Sequence, residues 1–152
     1  MSAPGPVIAP GHVGLSVTDL DRSLAFYQDV LALELIQAAD RDGQRFAFLG
    51  AGGRLFLRLW QQSQDAFEPR HSGLHHLALQ LPTLDAVQAV DAKLRARGLT
   101  PRYEGVVPHR EGADSAALFF TDPDGIRLEV YSPTGAAGLA APVAGAPSCG
   151  FF

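Results

Sequence analysis

One cysteine, Cys149, stands alone in 152 residues. A lone thiol excludes an intrachain disulfide framework and any zinc site built from several thiolates. Basic residues are also few. Twelve Lys and Arg face sixteen Asp and Glu, for a net charge of −4, and the cations form no run. A nucleic acid or an anionic membrane surface therefore has no electrostatic footing here. No uninterrupted apolar stretch approaches the roughly 18 residues of a membrane-spanning helix. The opening MSAPGPVIAP lacks the basic and long apolar regions of a signal peptide. These absences predict a cytoplasmic protein with neither nucleic-acid nor membrane partners.

What is present is ordinary globular material, 47% hydrophobic and 18% charged. The length suits a single domain with a sizeable core. Composition divides the chain into an N-terminal extension (1–10), a compact domain (11–133) and a Gly/Ala/Pro-rich tail (134–152). The tail's composition disfavours helix and sheet interiors, so a mostly extended segment is expected. Its apolar tip, Phe151-Phe152, is able to dock into a cleft.

The compact domain runs twice through one pattern. His12-Val-Gly-Leu-Ser-Val17 alternates like a strand, and Thr18-Asp19 offers a helix cap. Leu20, Leu24, Tyr27 and Leu31 then trace a helical face. Strand-like runs follow at 33–38, 44–49 and 54–60, separated by turn-forming Asp40-Arg-Asp-Gly43 and Gly50-Ala-Gly-Gly53. The second pass opens with His76-Leu-Ala-Leu-Gln-Leu81. Thr83 is its candidate cap, and Leu84, Val87, Val90 and Leu94 mark a helix that Gly98 ends. Strands are expected at 102–107, 115–121 and 126–131, with Asp122-Pro-Asp-Gly125 as the last turn. His12 precedes Leu20 by eight residues, and His76 precedes Leu84 by eight. The expected fold is α+β: two tandem βαβββ modules, about 11–62 and 73–133, whose curved mixed sheet surrounds a cleft.

Strand alternation then selects side chains. In the closing strand Leu128 and Val130 suit the helix side, which turns Arg127, Glu129 and Tyr131 toward the cleft. An ionised Glu between two apolar strand residues needs a partner. The duplication supplies candidates in His12 and His76, each at the start of an opening strand. Two imidazoles and one carboxylate suit a divalent first-row metal and leave coordination positions open for substrate.

The sequence resembles the vicinal oxygen chelate superfamily, which includes glyoxalase I, fosfomycin-resistance transferases, extradiol dioxygenases and bleomycin-resistance proteins. The resemblance rests on His12-Val-Gly-Leu-Ser-Val-Thr-Asp-Leu-Asp-Arg-Ser-Leu-Ala-Phe-Tyr27, on Gly73-Leu-His-His-Leu-Ala-Leu79 and on Phe120-Thr-Asp-Pro-Asp-Gly-Ile-Arg-Leu-Glu129. It implies His12, His76 and Glu129 as ligands of a divalent ion: Fe2+, Mn2+, Zn2+, Ni2+ or Co2+. His75 competes for the second place, and His76 is preferred because its strand overlays that of His12. Glyoxalase I carries a fourth ligand on the last strand of its first module. There, matching apolar flanks place Arg58 at that position, and counting from the glycine turn places Leu57. Neither binds a metal, which favours a three-ligand member.

The segment from Val107 to Glu129 is similar to the extradiol dioxygenase signature. His109 lies near its upstream His, one residue out of place, and Phe119 stands where it has Tyr. The resemblance implies His109 as an acid or base, and Arg58, Trp60, Phe119 and Tyr131 as contacts for a small-molecule substrate. The expected function is a metal-dependent, extradiol-dioxygenase-like enzyme, acting as a homodimer. A fosfomycin-type transferase or glyoxalase-like lyase or isomerase is the first alternative. A metal-free, drug-sequestering protein of the bleomycin-resistance kind is the second.

Overall fold

The computed structural model describes residues 5–152 except the side chain of Phe151. The first module comprises β1 (Val13–Val17), α1 (Leu20–Val30), β2 (Glu34–Arg41), β3 (Gln44–Ala51) and β4 (Arg54–Gln61). The second comprises β5 (Leu77–Gln80), α2 (Leu84–Ala96), β6 (Val107–Pro108), β7 (Ala116–Thr121) and β8 (Arg127–Ser132). The protein is α+β, with two tandem βαβββ modules. Each forms a four-stranded mixed sheet, in the orders β1-β4-β3-β2 and β5-β8-β7-β6, and among the described residues no ladder joins the two sheets. In each module the first and last strands run parallel and the others antiparallel.

The helices form where the caps and spacing dictate. The Asp19 carboxylate accepts from the Arg22 amide, and the Thr83 side chain accepts from the Ala86 amide. Each cap satisfies one amide that the first helical turn leaves without a partner. Leu20, Phe26, Tyr27 and Val30 of α1 and Val87, Val90 and Leu94 of α2 are buried. They meet Leu15, Val17, Leu57 and Leu59 of the first sheet and Leu128 and Val130 of the second in one common core. Both sheets thus back onto the same apolar interior. Their opposite faces, carrying the candidate site residues, lie outside it.

Two elements depart from expectation. The strand expected at 102–107 shrinks to Val107–Pro108. Gly105 takes φ +103°, and Pro108 has no amide to donate to a ladder. The Arg102 amide still donates to the Phe119 carbonyl at 2.7 Å, so the segment follows the sheet edge without pairing along it. The tail is irregular apart from a 3-10 turn at Ser148–Phe151, but it is docked. The Ala136 amide donates to the Asp114 carbonyl at 2.8 Å, and the Ser148 amide to the His109 carbonyl at 2.7 Å. Among the described residues, no helix is long and apolar enough to cross a membrane.

The Asp122-Pro-Asp-Gly125 turn locks the modules together. Asp124 accepts from the Thr18 amide (3.0 Å) and hydroxyl and from Arg22 (2.8 Å). Asp122 accepts from the amides of Asp124 and Ile126 and from the Tyr27 hydroxyl, each at 2.9 Å. Burial outweighs these bonds and pushes the Asp122 carboxyl up to about 6. The native state therefore holds this proton more tightly than the unfolded chain, whose ordinary value is 3.8. The stability it contributes is full below about pH 4 and is lost as pH rises through about 6. Asp122→Asn keeps an oxygen for the two amides but cannot titrate. The difference in stability between wild type and variant, measured by thermal melts, should change by up to about 3 kcal/mol between pH 4 and 7. Parallel profiles would contradict the assignment.

Candidate metal centre

The site grows from strand register. β5 and β8 are parallel, with Ala78 opposite Glu129 and Gln80 opposite Tyr131. On β8, Leu128 and Val130 enter the core, so Arg127, Glu129 and Tyr131 occupy the other face. His76 lies two residues before Ala78 and shares that face. Its Nε2 sits 3.2 Å from one oxygen of Glu129, which is only 2% exposed. The other Glu129 oxygen contacts His109 Nε2.

His109 is held by the β6–β7 hairpin. The register of Val107 with Ala117 and Pro108 with Ala116 continues to 109 and 115, where the His109 amide donates to the Ser115 carbonyl at 3.3 Å. The Ser115 hydroxyl lies 2.7 Å from His109 Nδ1. A neutral imidazole that donates to Glu129 through Nε2 has Nδ1 left to accept, which in His109 is where the Ser115 hydroxyl lies. The same logic reaches His75, whose Nδ1 is 2.8 Å from Nδ1 of His76. Desolvation, then the positive charge of His76 when protonated and of Arg127, pull the His75 pKa down, so His75 gives up its charge readily and can donate to a neutral His76.

An aromatic wall surrounds this chain of bonds. Phe119 pairs with Glu129 in the β7–β8 ladder, and the Tyr131 ring packs edge-on against His109 at 5.2 Å. The Tyr131 hydroxyl donates to the Gln80 side chain at 3.1 Å. The tail closes over the top. Phe152 lies 5.5 Å from the Phe119 ring and 6.5 Å from the His76 ring, with the Arg127 guanidinium 5.6 Å from its own. The Ser148 hydroxyl donates to the Pro108 carbonyl and the Tyr103 hydroxyl to the Ser148 carbonyl, both at 2.7 Å. Cys149 packs in the same cluster as Phe119. Burial and the Glu129 charge raise its thiol pKa, so it stays protonated near neutral pH.

The structure thus gathers His76, Glu129, His109, Phe119 and Tyr131 on one sheet. It leaves His12, Arg58 and Trp60 on the other. His12 is exposed just before β1, and no bond links it to His76 or Glu129. Among the described residues, no three His, Cys, Asp or Glu side chains are placed to hold a metal ion. Within one chain Glu129 has two imidazole neighbours, His76 and His109, and His12 is not among them. Of the two candidates at the fourth position, register selects one. Gly14 pairs with Arg58 as Ala78 pairs with Glu129, whereas Leu57 pairs with Val13 and is fully buried.

Sequence reasoning missed Ser115, Gln80, Tyr103 and the depth of the tail's docking. Ser115 follows from hairpin register, but the strand expected at 102–107 stopped short of His109. The docked tail makes a measurable claim. Tyr103→Phe combined with Phe152→Ala removes a hydrogen bond and an aromatic contact, together worth a few kcal/mol at most. Modification of Cys149, the chain's only thiol, by a neutral disulfide reagent should accelerate on the order of tenfold. An unchanged rate would show that the tail does not depend on these contacts.

Comparison with known proteins agrees with this architecture. The Glyoxalase/Bleomycin resistance protein/Dioxygenase superfamily matches residues 9–130. The chain is 30% identical over 125 residues to a catechol-2,3-dioxygenase of Bacillus subtilis, covering 80% of this chain but 40% of that protein. It therefore spans less than half of that relative. It is 31% identical over 126 residues to a lactoylglutathione lyase of Haemophilus influenzae, covering 78% of this chain and 87% of that one. Among solved structures, a glyoxylase/bleomycin resistance protein/dioxygenase domain from Frankia sp. EAN1pec superposes with a TM-score of 0.70 at 25% identity, covering 84% and 93% of the two chains.

Proposed function

The chain belongs to the Glyoxalase/Bleomycin resistance protein/Dioxygenase superfamily, and from that premise we propose that it is a small metal-dependent enzyme acting on a substrate that presents two neighbouring oxygens. The first reading is extradiol-dioxygenase-like ring cleavage of a small catechol-type molecule, with O2 as co-substrate and both its atoms entering the product, by a cytoplasmic homodimer. The observation that carries it is the buried Glu129 carboxylate with His76 Nε2 at 3.2 Å. A nitrogen and an oxygen donor converging from adjacent strands fit the coordination chemistry of a divalent first-row ion.

His76 and Glu129 would hold the ion, with His12 of a second copy as third ligand, because the two modules of one chain share a core rather than a cleft. When bound, the ion supplies Lewis acidity to the substrate oxygens. The remaining work belongs to this chain's side chains. His109, oriented by Ser115, would exchange a proton at Nε2 with a substrate oxygen once Glu129 gives the oxygen that Nε2 now contacts to the ion. Phe119, expected as a substrate contact, is fully buried beneath Phe152 and backs the site, which leaves Tyr131 to contact the substrate's ring. Arg58 and Trp60 of the second copy, on the same sheet as its His12, would complete the substrate contacts.

Arg58 at the register counterpart of Glu129 supports a three-donor site. That weighs against a lyase of the glyoxalase kind and leaves fosfomycin-type transfer as the nearer alternative. A specific observation favours a metal-free binding protein as second reading: Glu129 is already in contact with two imidazoles.

Metal analysis of untagged protein separates these readings. The enzyme reading expects about one metal ion per chain, lost in His76→Ala and in Glu129→Gln. A protein purified under metal-replete conditions without stoichiometric metal would contradict it. Mixing His12→Ala chains with Glu129→Ala chains tests the shared site. Heterodimers should recover metal binding at one of their two sites, and heterodimers that bind none would point to closure within one chain.

A further inference from the structure

The two modules repeat one another, so their differences at equivalent positions carry information. His12 and His76 each stand two residues before the strand position whose parallel partner faces the cleft. In the second module that partner is Glu129; in the first it is Arg58. Where one half of the repeat places an anion, the other places a cation.

Among the described residues five arginines form ion pairs, and Arg58, like Arg41, Arg54, Arg110 and Arg127, does not. The Arg58 guanidinium lies 4.6 Å from the centre of the Phe48 ring. Its Nε is shielded from solvent and has no hydrogen-bond partner. A shielded donor without an acceptor costs stability; the side chain is only partly buried, so it is the outer guanidinium nitrogens, not Nε, that a ligand would meet.

The surroundings fit such a ligand. Phe46, Phe48 and Trp60 form a continuous aromatic bed, with ring centroids 5.0 to 6.2 Å apart. The residue opposite Arg58 on β1 is Gly14, and a Cβ built there meets nothing within 4 Å. The bed offers a planar molecule a stacking surface. The guanidinium offers a carboxylate paired hydrogen bonds.

We propose that Arg58 is the specificity-determining residue of the cleft and selects a planar substrate bearing a carboxylate, seated on Phe46, Phe48 and Trp60 beside Gly14. That the carboxylate belongs to the substrate rests on the function proposed above; the anion site itself does not depend on a metal. Trp60 is the chain's only tryptophan and lies two residues from Arg58 on the same face, so its fluorescence reports occupancy.

The test is a fluorescence titration of metal-stripped and metal-loaded full-length protein with benzoate and with benzamide, its uncharged counterpart. Stripping the metal removes any benzoate bound by coordination. Metal-stripped wild type should prefer benzoate by about tenfold. Arg58→Gln should abolish the preference, Arg58→Lys should retain part of it, and Gly14→Val should weaken both ligands. Thermal melts of the variants exclude unfolding as the cause, and the Lys variant serves if the Gln variant does not fold. Equal affinity for the two probes, or a preference that survives Arg58→Gln, overturns the proposal. A benzoate preference in a protein that never takes up metal sustains Arg58 recognition and sinks the metalloenzyme. Metal uptake without a benzoate preference does the reverse.

Discussion

An ionised carboxylate buried in a β-strand must be answered, and in this protein the answer organises the second sheet. Glu129 has almost no contact with solvent. Without a partner its charge would cost several kcal/mol, and such a group neutralises or the strand does not form. Imidazoles on either side meet the demand, one from the start of β5 and one from the β6–β7 hairpin. Ser115 then orients one imidazole and His75 the other. The result is a run of hydrogen bonds in which each group's proton position constrains the next. This arrangement leaves Glu129 satisfied without a metal and also places its oxygens beside two exchangeable nitrogen donors.

The first module repeats the backbone and changes the chemistry. Register makes Arg58 the counterpart of Glu129, and Gly14 the counterpart of Ala78. His12 remains but is exposed and alone. Both helices and both sheets feed one core, and the two open faces lie outside it. They are complementary in kind: an acid with imidazoles on one, a cation with aromatics and an imidazole on the other. Two copies arranged to join unlike faces would bring all three predicted ligands to one place.

Much of this was legible in the residues. Alternation put Leu128 and Val130 inside and Glu129 opposite, and the eight-residue interval from His to Leu marked the repeat. Caps at Asp19 and Thr83 followed from their side chains. Three features were not legible, each for a physical reason. The 102–107 segment alternates like a strand, but Gly105 at positive φ and the missing amide of Pro108 break the ladder. The choice between Arg58 and Leu57 needed the bulge at Leu49/Gly50, since one residue of slip exchanges the two faces. The tail's composition argued for an extended segment, yet Tyr103, Phe119 and the His109 carbonyl give Ser148 and Phe152 specific places to bind. Long-range contacts of that kind leave no periodic trace.

The account turns on whether Glu129 and its imidazoles hold an ion shared between copies. Diffraction from metal-loaded crystals, collected at the absorption edge of the bound element, tests this most directly. The account predicts one anomalous peak per chain, within coordinating distance of His76, Glu129 and His12 of a neighbouring copy. A peak elsewhere, or none with Glu129 still enclosed by His76 and His109, would contradict it.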